Sequence, residues 1–313
     1  MASKNNTVGI TEFIITGFND LEHPKAVGIV ILIIYSLILL GSTTNICIIA
    51  SDKRLHTPLY YLICNLAIVD MMYSSSASVT MLTVLLVGVK TVSYKPCAAQ
   101  MFLYHMGDFM EAFAIGLMAF DRLVAISNPV HYSTIITDRM CVILVAIAWF
   151  LGLLGPFTSV ILAAQLPFCG PNKLIYWFCD YPPVVQLACT DTTFLIDLAL
   201  AIAMIIVYIP WLIIVWSYVR IIICIFRIPP GEGRSKAFST CSSHLILVLT
   251  YFLSIGFVYI VVRIENISSD TCTLLTVCNC FITPMANPII YSLRNKEIRD
   301  SFVRHTAINK VFP

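Results

Sequence analysis

The sequence predicts an all-α membrane protein, a seven-transmembrane helix bundle followed by a short amphipathic C-terminal helix. Of the 313 residues, 59% are hydrophobic and only 12% are charged, a balance typical of membrane proteins. Long stretches with few charges also recur between short polar clusters, and each is long enough to cross a bilayer as a helix. These stretches are residues 26–51, 55–89, 97–126, 142–172, 198–219, 237–262 and 271–293.

The distribution of Lys and Arg predicts the orientation of this bundle. Of the 19 Lys and Arg residues, thirteen lie on the side of the membrane where the second, fourth and sixth spans begin and the seventh ends. The other six lie on the opposite side. Because positively charged loops stay cytoplasmic, we expect the amino terminus outside and the carboxyl terminus in the cytoplasm. Residues 1–24 lack the apolar segment of a signal peptide, so the first span is expected to act as the insertion signal. We interpret the chain as one seven-transmembrane domain with an outer tail (1–24), a helix bundle (25–293) and a cytoplasmic tail (294–313).

The first two spans each carry a polar residue inside the membrane. Asn45 of the first span is expected to hydrogen-bond to another helix, as buried polar residues in membranes usually do. The second span begins at Pro58, which suits the first turn of a helix because its missing N–H is not needed there. Asp70 then lies near the middle of this span.

The third span, residues 97–126, is interrupted by three acidic residues and one histidine and is predicted to be surrounded by other helices. Asp108 and Glu111 fall near its middle, where an ionisable side chain is costly unless it faces protein or water. His105, Asp108, Phe109 and Ala112 follow helical spacing and share one face. At the inner end of the span, Asp121 and Arg122 form an adjacent charge pair.

Asp70 and Glu111 form the strongest polar pair predicted inside the membrane. They fit two interpretations: two neutral acids that share hydrogen bonds, or a site for a sodium ion or a shared proton. We favour the cation site. Neither interpretation makes the pair an enzyme centre, since no companion motif for aspartyl chemistry is present.

The loop between the fourth and fifth spans, about residues 163–197, is predicted to cover the outer mouth of the bundle. Four cysteines fall on the outer, oxidising side: Cys97, Cys169, Cys179 and Cys189. An even number of outer cysteines predicts two disulfides, and the sequence alone allows three connectivities. Such bridges would hold the loop over the bundle as a lid. Two sequons, at Asn5 and Asn266, also fall on the outer side and allow glycosylation there.

The last three spans contain residues suited to movement or binding. His244 near the start of the sixth span is expected to be a buried hydrogen-bonding switch residue rather than a metal ligand, because no second ligand lies at a chelating spacing. Arg263 at the outer end of that span is either an interfacial arginine that reaches toward water or a ligand contact. Asn287-Pro288 creates a hinge in the seventh span, and residues 295–308 suggest an amphipathic helix on the inner membrane surface.

Three stretches resemble motifs of olfactory receptors, which belong to the rhodopsin-like G-protein-coupled receptors. They are MAFDRLVAISNP (118–129), KAFSTCSSHL (236–245) and PMANPIIYSLRNKE (284–297). All three occur in the expected order, and the resemblance covers roughly residues 20–305. The chain departs from the usual pattern at Leu123, Ser127 and Tyr251-Phe252, but none of these differences removes a charge, so signalling is expected to survive.

The resemblance implies several specific features. It implies the disulfides Cys97–Cys179 and Cys169–Cys189, and an ion or polar site at Asp70 and Glu111. The residues expected to face the G protein or to act as the conformational switch are Asp121, Arg122, Tyr218, His244, Asn287, Pro288 and Tyr291.

It further implies a plasma-membrane odorant receptor that contacts lipid, binds a small molecule and activates a stimulatory heterotrimeric G protein by population shift. The ligand is expected between the third, fifth, sixth and seventh spans. The residues expected to contact it are Tyr104, His105, Asp108, Phe109, Ala112, Ile202, Ile255, Gly256, Tyr259 and Arg263.

The charge of the ligand is left open between an acid and an amine. Phe120, His105 and Arg263 resemble the fish-like, or class I, branch of the family, which often handles water-soluble odorants such as carboxylic acids. An anion would pair with Arg263 and a cation with Asp108, which is less usual at its position. Since His105 lies one turn from Asp108, we expect these two to satisfy each other and leave Arg263 free. This favours a polar or carboxylate-bearing odorant over an amine.

Two other functions remain as alternatives. One is a non-olfactory amine or peptide receptor with the same fold. The other is a small transporter or channel, for which inverted repeats or paired broken helices would be expected, and the sequence does not show them. No nucleophile–base pair or metal motif predicts an enzyme, and neither a metal cofactor nor a nucleic-acid partner is expected.

Overall fold

The computed structural model describes residues 12–19, 21–168, 171–262 and 269–308, and seven helices of 25 residues or more dominate this part of the chain. These long helices are α1 (Pro24–Ser51), α2 (Pro58–Leu82), α3 (Tyr94–Ser127), α5 (Asp138–Ala164), α7 (Thr193–Arg227), α8 (Glu232–Val262) and α9 (Ser269–Arg294). The shorter elements are β1 (Glu12–Ile15), β2 (Thr91–Ser93), α4 (Tyr132–Ile135), β3 (Lys173–Leu174), α6 (Tyr181–Val185) and α10 (Lys296–Ile308). The predicted helix bundle is confirmed, with one long helix for each predicted span.

The long helices differ in how apolar they are. Among the described residues, α1, α2, α5 and α7 are long and apolar enough to cross a membrane by composition alone. α3 is not apolar enough to meet this criterion, because Asp108, Glu111 and Asp121 interrupt its apolar sequence. Its place in the bundle depends on packing, since it lies against α2, α5, α7 and α8.

A close approach of two backbones sets the distance between α2 and α3. A Cβ atom at Gly107 of α3 would lie only 2.7 Å from the Cβ atom of Tyr73 of α2. Small residues allow such contacts between membrane helices. The glycine thus brings Tyr73 against the middle of α3.

The fifth and sixth predicted spans are longer as helices than the sequence indicated. α7 continues to Arg227, and α8 begins at Glu232, so the connection between them is shorter than the gap between the predicted spans 198–219 and 237–262. Charged residues such as Arg220 mark where a helix leaves the apolar layer, but they do not interrupt its backbone hydrogen bonds. Gly231, with φ of +155°, provides the change of direction.

A three-stranded sheet covers one end of the bundle, which we call the capped end. β1 is its central strand, antiparallel to β2 and parallel to β3. Phe13 and Ile15 of β1 alternate onto one face and are fully buried. The segment that we interpreted from the sequence as an outer tail therefore contains a strand, whose partner strands lie far away in the chain.

The long loop before α7 is attached to α3 at the capped end. Cys97 of α3 and Cys179 of the loop form a disulfide with a Cα–Cα distance of 5.3 Å, which confirms the first predicted bridge. Gln100, one turn further along α3, accepts a hydrogen bond from the Cys179 backbone N–H at 3.0 Å and donates one to the Ser76 carbonyl of α2 at 2.6 Å. The second predicted bridge includes Cys169, which lies outside the described residues, and it stays a prediction.

At the opposite end of the bundle, α10 packs against the start of the loop between α1 and α2. Asp52 accepts hydrogen bonds from Ser301 at 2.8 Å and from Arg304 at 2.7 Å. The hydrogen bond from the Arg304 guanidinium holds the pKa of the Asp52 carboxyl well below its usual range. Ile298 is buried while Phe302 and Val303 are exposed, so α10 has the amphipathic character that the sequence predicted.

The Cys97–Cys179 bridge gives a first testable prediction. Cys97→Ser and Cys179→Ser should each lower the amount of receptor at the cell surface severalfold, since losing such a bridge costs about 2–5 kcal/mol. Flow cytometry of an epitope-tagged chain measures this. Cys47→Ser, at an exposed free cysteine of α1, is the matched control and should leave the surface level unchanged. Normal surface levels in both bridge variants would show that the loop does not need the disulfide.

Candidate functional site

A mostly apolar cavity of about 400 Å³ lies below the capped end of the bundle. Its size is that of a site for a small molecule. α2, α3, α5, α7, α8 and α9 line it, and α6 and the disulfide-linked loop close it from above.

The structure brings six of the ten predicted ligand residues to this cavity. They are Tyr104, His105, Asp108, Phe109, Ile202 and Ile255. Ala112 does not line it: this residue is fully buried and packs with Ile214 and Tyr251 below the cavity. Gly256 does not line it either. The side chain of Tyr259 and the whole of Arg263 lie outside the described part of the chain.

Six polar or aromatic residues line the cavity without having been predicted: Tyr73, Ser159, Tyr176, Asp180, Tyr181 and Asn279. Tyr73 comes from α2, Asp180 from the loop and Asn279 from α9. Asp180 directly follows Cys179, so the predicted bridge to α3 already implied its place near the cavity. The sequence carried no comparable signal for Tyr73 or Asn279, which are brought to the site by helix packing.

His105 pairs with the loop and not with its neighbour on α3. Its Nε2 atom lies 3.0 Å from Asp180 Oδ1, and both side chains are largely buried. The expected direct pairing of His105 with Asp108 is therefore replaced by one with Asp180, and His105 acts on Asp108 only electrostatically. The disulfide explains the difference, because it delivers a carboxylate to His105 from across the cavity.

A hydrogen bond connects the cavity floor to α8. The Tyr251 hydroxyl donates to the backbone carbonyl of Asp108 at 3.2 Å, and Tyr251 is almost fully buried. Because Ile255 lies one turn along α8 and lines the cavity, a ligand there contacts the two helices that this bond joins.

Deeper in the bundle, Asp70 and Glu111 meet around one amide. Asn287 Nδ2 donates to Asp70 Oδ1 at 2.8 Å and lies 3.5 Å from Glu111 Oε1, and all three residues are 1% exposed. Two buried carboxylates that share a single donor cannot both stay charged without a proton or a cation. Asn287 Oδ1 and the nearby Ser42 hydroxyl have no partner among the described residues, so oxygen donors are present for a hard cation.

The end of α3 opposite the capped end, which we call the Arg122 end, carries an ion pair between Asp121 and Arg122. Arg122 Nη2 lies 2.6 Å from Asp121 Oδ2, and the Arg122 side chain is 14% exposed. Tyr132 of α4 donates to the other Asp121 oxygen at 2.6 Å. Burial raises the pKa of the Tyr132 phenol, which keeps its hydroxyl proton available for this bond.

The predicted switch residues join neighbouring helices near the Arg122 end. The Tyr218 hydroxyl of α7 and His244 Nδ1 of α8 lie 2.8 Å apart, and both side chains are buried. Tyr291 of α9 donates to Met118 Sδ of α3 at 3.4 Å. Pro288 lies inside α9, and a Cβ atom at Gly41 of α1 would lie 2.9 Å from its ring.

Comparison with known protein families agrees with this architecture. A family model described as "Olfactory receptor" matches residues 31–310. Among curated proteins, the chain is 38% identical to Olfactory receptor 6N1 of Homo sapiens, over 94% of this chain and 95% of that protein. It is also 38% identical to Olfactory receptor 1M1 of Mus musculus, over 96% and 95%, and 36% identical to Olfactory receptor 10J4 of Homo sapiens, over 96% of each.

These matches extend over nearly the whole chain at well above the identity that shared folds alone produce. They include the helices that line the cavity and those that carry the Arg122 end. The chain therefore belongs to the olfactory receptor family, whose members are G-protein-coupled receptors for odorants and not enzymes.

Proposed function

We propose that this protein is an odorant receptor that binds a small molecule in the cavity and activates a stimulatory heterotrimeric G protein. The observation that supports this most directly is the layout of α3. Tyr104, His105, Asp108 and Phe109 line the cavity, and the same helix ends at the Asp121–Arg122 pair. One rigid element thus connects a ligand site to an end suited to a cytoplasmic partner.

The proposed mechanism is a shift between two arrangements of α8 relative to α3 and α7. A ligand changes this equilibrium only if it binds one arrangement more tightly. Contacts to Ile255 of α8 and to Phe109 of α3 give it that opportunity, because the Tyr251–Asp108 hydrogen bond joins the same helices. At the other end, separation of Tyr218 from His244 would let α8 move outward and expose Arg122 to the G protein.

The proposed orientation places the capped end outside the plasma membrane and the Arg122 end in the cytoplasm. The excess of Lys and Arg on the Arg122 side supports this. In this orientation Asn5 and Asn266 are glycosylation sites and Cys169–Cys189 is a second outer disulfide. α10 lies on the inner lipid surface with Phe302 and Val303 toward the acyl chains. Membership of the fish-like branch stays a prediction from the resemblance.

We further propose that Asp70 and Glu111 hold a sodium ion in the inactive arrangement. The carboxylate oxygens and Asn287 Oδ1 are the hard donors that such an ion prefers. The adjoining cleft between α1, α2 and α9 is lined by Ser42, Asn45, Asp70 and Asn287, which places further polar side chains beside the two carboxylates. The bound ion would neutralise the two carboxylates.

The Arg122 end gives a second prediction. Arg122→Ala should cut the ligand-induced cAMP response by about tenfold or more, as losing a charge-assisted hydrogen bond to a partner costs about 1.5–3 kcal/mol. Ligand binding should change little, because Arg122 lies far below the cavity. A cAMP reporter normalised to surface level measures the response. Arg139→Ala, at an exposed arginine of the same end, should respond like the wild type, and a full response from Arg122→Ala would remove Arg122 from the coupling surface.

The Asp70–Glu111 pair gives a third prediction. Replacing external sodium with N-methylglucamine should change the half-maximal ligand concentration of the wild type by about fivefold or more, a typical allosteric coupling. Asp70→Asn and Glu111→Gln should each abolish this sodium effect. Asp197→Asn, at an exposed carboxylate of α7, should retain it. Equal sodium dependence in all four proteins would exclude an ion at this pair.

A further inference from the structure

The charges that line the cavity are the first indication of the ligand class. Apart from tyrosines, the ionisable side chains of the described lining are two acids and one histidine: Asp108, Asp180 and His105. Even with His105 protonated, this set carries one excess negative charge when both acids are ionised. A carboxylate ligand would meet repulsion from two sides of the cavity, whereas a cation would be attracted.

The two carboxylates have different surroundings. Asp180 is already paired, because His105 Nε2 lies 3.0 Å from its Oδ1 atom. Asp108 is half-buried on the cavity wall, and within the part of the chain that the structure describes no Lys, Arg or His forms an ion pair with it. His105 acts on Asp108 only electrostatically and is itself in contact with Asp180, so a positively charged group at the half-buried Asp108 carboxylate would stabilise it.

An unpartnered acceptor faces the same space. Asn279 of α9 lines the cavity and is 9% exposed, and its Oδ1 atom has no hydrogen-bond partner among the described residues. Buried carbonyl oxygens are almost always bonded to a donor. A ligand that brings N–H groups into the cavity would supply the missing donor.

Aromatic rings complete the surroundings. Tyr73 and Tyr104 line the cavity with ring centroids 5.2 Å apart, and Phe109 lies on the wall one turn beyond His105. The faces of such rings are electron-rich and attract cations. The aliphatic side chains of Ile202 and Ile255 leave an apolar region for a hydrocarbon group.

From these observations we propose that the cavity binds a small organic amine as its ammonium ion. The ammonium N–H groups donate to the Asp108 carboxylate and to Asn279 Oδ1, and the hydrocarbon part lies toward Ile202 and Ile255. This inference depends on the proposed function, since it names the ligand class of the same cavity. It reverses the preference for a carboxylate, which depended on a His105–Asp108 pair that the structure does not contain.

The test uses the full chain in cells with a cAMP reporter and three matched sets of odorants. The sets are butylamine, hexylamine and octylamine, the three acids of the same chain lengths, and the three alcohols. The amines should activate the wild type, and the acids should not. Asp108→Asn, which keeps the side-chain shape and removes the charge, should lower amine potency by about 10- to 100-fold, the range for a charge-assisted hydrogen bond.

Two further comparisons separate the role of charge from that of hydrogen bonding. Hexyltrimethylammonium carries a permanent charge but has no N–H, so Asp108→Asn should weaken its action while Asn279→Leu should not. Hexylamine should lose potency in both variants. Asp197→Asn, an acid-to-amide change on the exposed side of α7, is the matched control and should leave all potencies unchanged.

The outcomes distinguish this inference from the proposed function. Activation by acids or alcohols without activation by amines would overturn the amine inference and leave the receptor function intact. If no compound raises cAMP, thermal stabilisation of the purified receptor by hexylamine, lost in Asp108→Asn, would support the amine site and contradict coupling to a stimulatory G protein. Absence of both activation and stabilisation by amines would overturn the amine inference.

Discussion

The cost of burying ionisable groups in an apolar environment is the constraint on which the bundle depends. α3 carries Asp108, Glu111 and Asp121 along its length, and each needs a polar partner or a cation to remain in the interior. Asn287 of α9 lies within hydrogen-bond distance of Glu111, and Arg122 and Tyr132 bond to Asp121. Because Asn287 and Tyr132 come from other helices, they help to hold α3 at the centre of the bundle, where it also lies against α2, α5, α7 and α8.

The same constraint explains why so much of the fold could be predicted from the sequence. Span positions follow from apolar runs that a bilayer requires, and these runs are local in the chain. The Cys97–Cys179 bridge needed the family resemblance, because four outer cysteines allow three pairings. β1 was missed since its four residues give little pattern, and the partners that bury Phe13 and Ile15 lie about 80 and 160 residues away, as the ladders to β2 and β3 show.

The candidate site was predictable only in part, and for a related reason. Helical periodicity correctly grouped residues on one face of α3, but it does not state how deep each one lies. Ala112 shares the face of Asp108 and yet does not line the cavity, because it is fully buried in a cluster that includes Tyr251. Lining residues that other helices supply, such as Tyr73 and Asn279, depend on packing distances that no single-chain pattern contains.

The position of Asp108 on α3 links the ligand site to the conformational change. Its side chain lines the cavity while its backbone carbonyl accepts the Tyr251 hydrogen bond from α8. Glu111, one turn further along, belongs to the group around Asn287, next to the Pro288 of α9. A ligand that contacts the Asp108 side chain therefore lies within about one helical turn of groups on α3 that bond to α8 and α9. Such closeness allows a small ligand to favour one arrangement of α8 without contact to the Arg122 end itself.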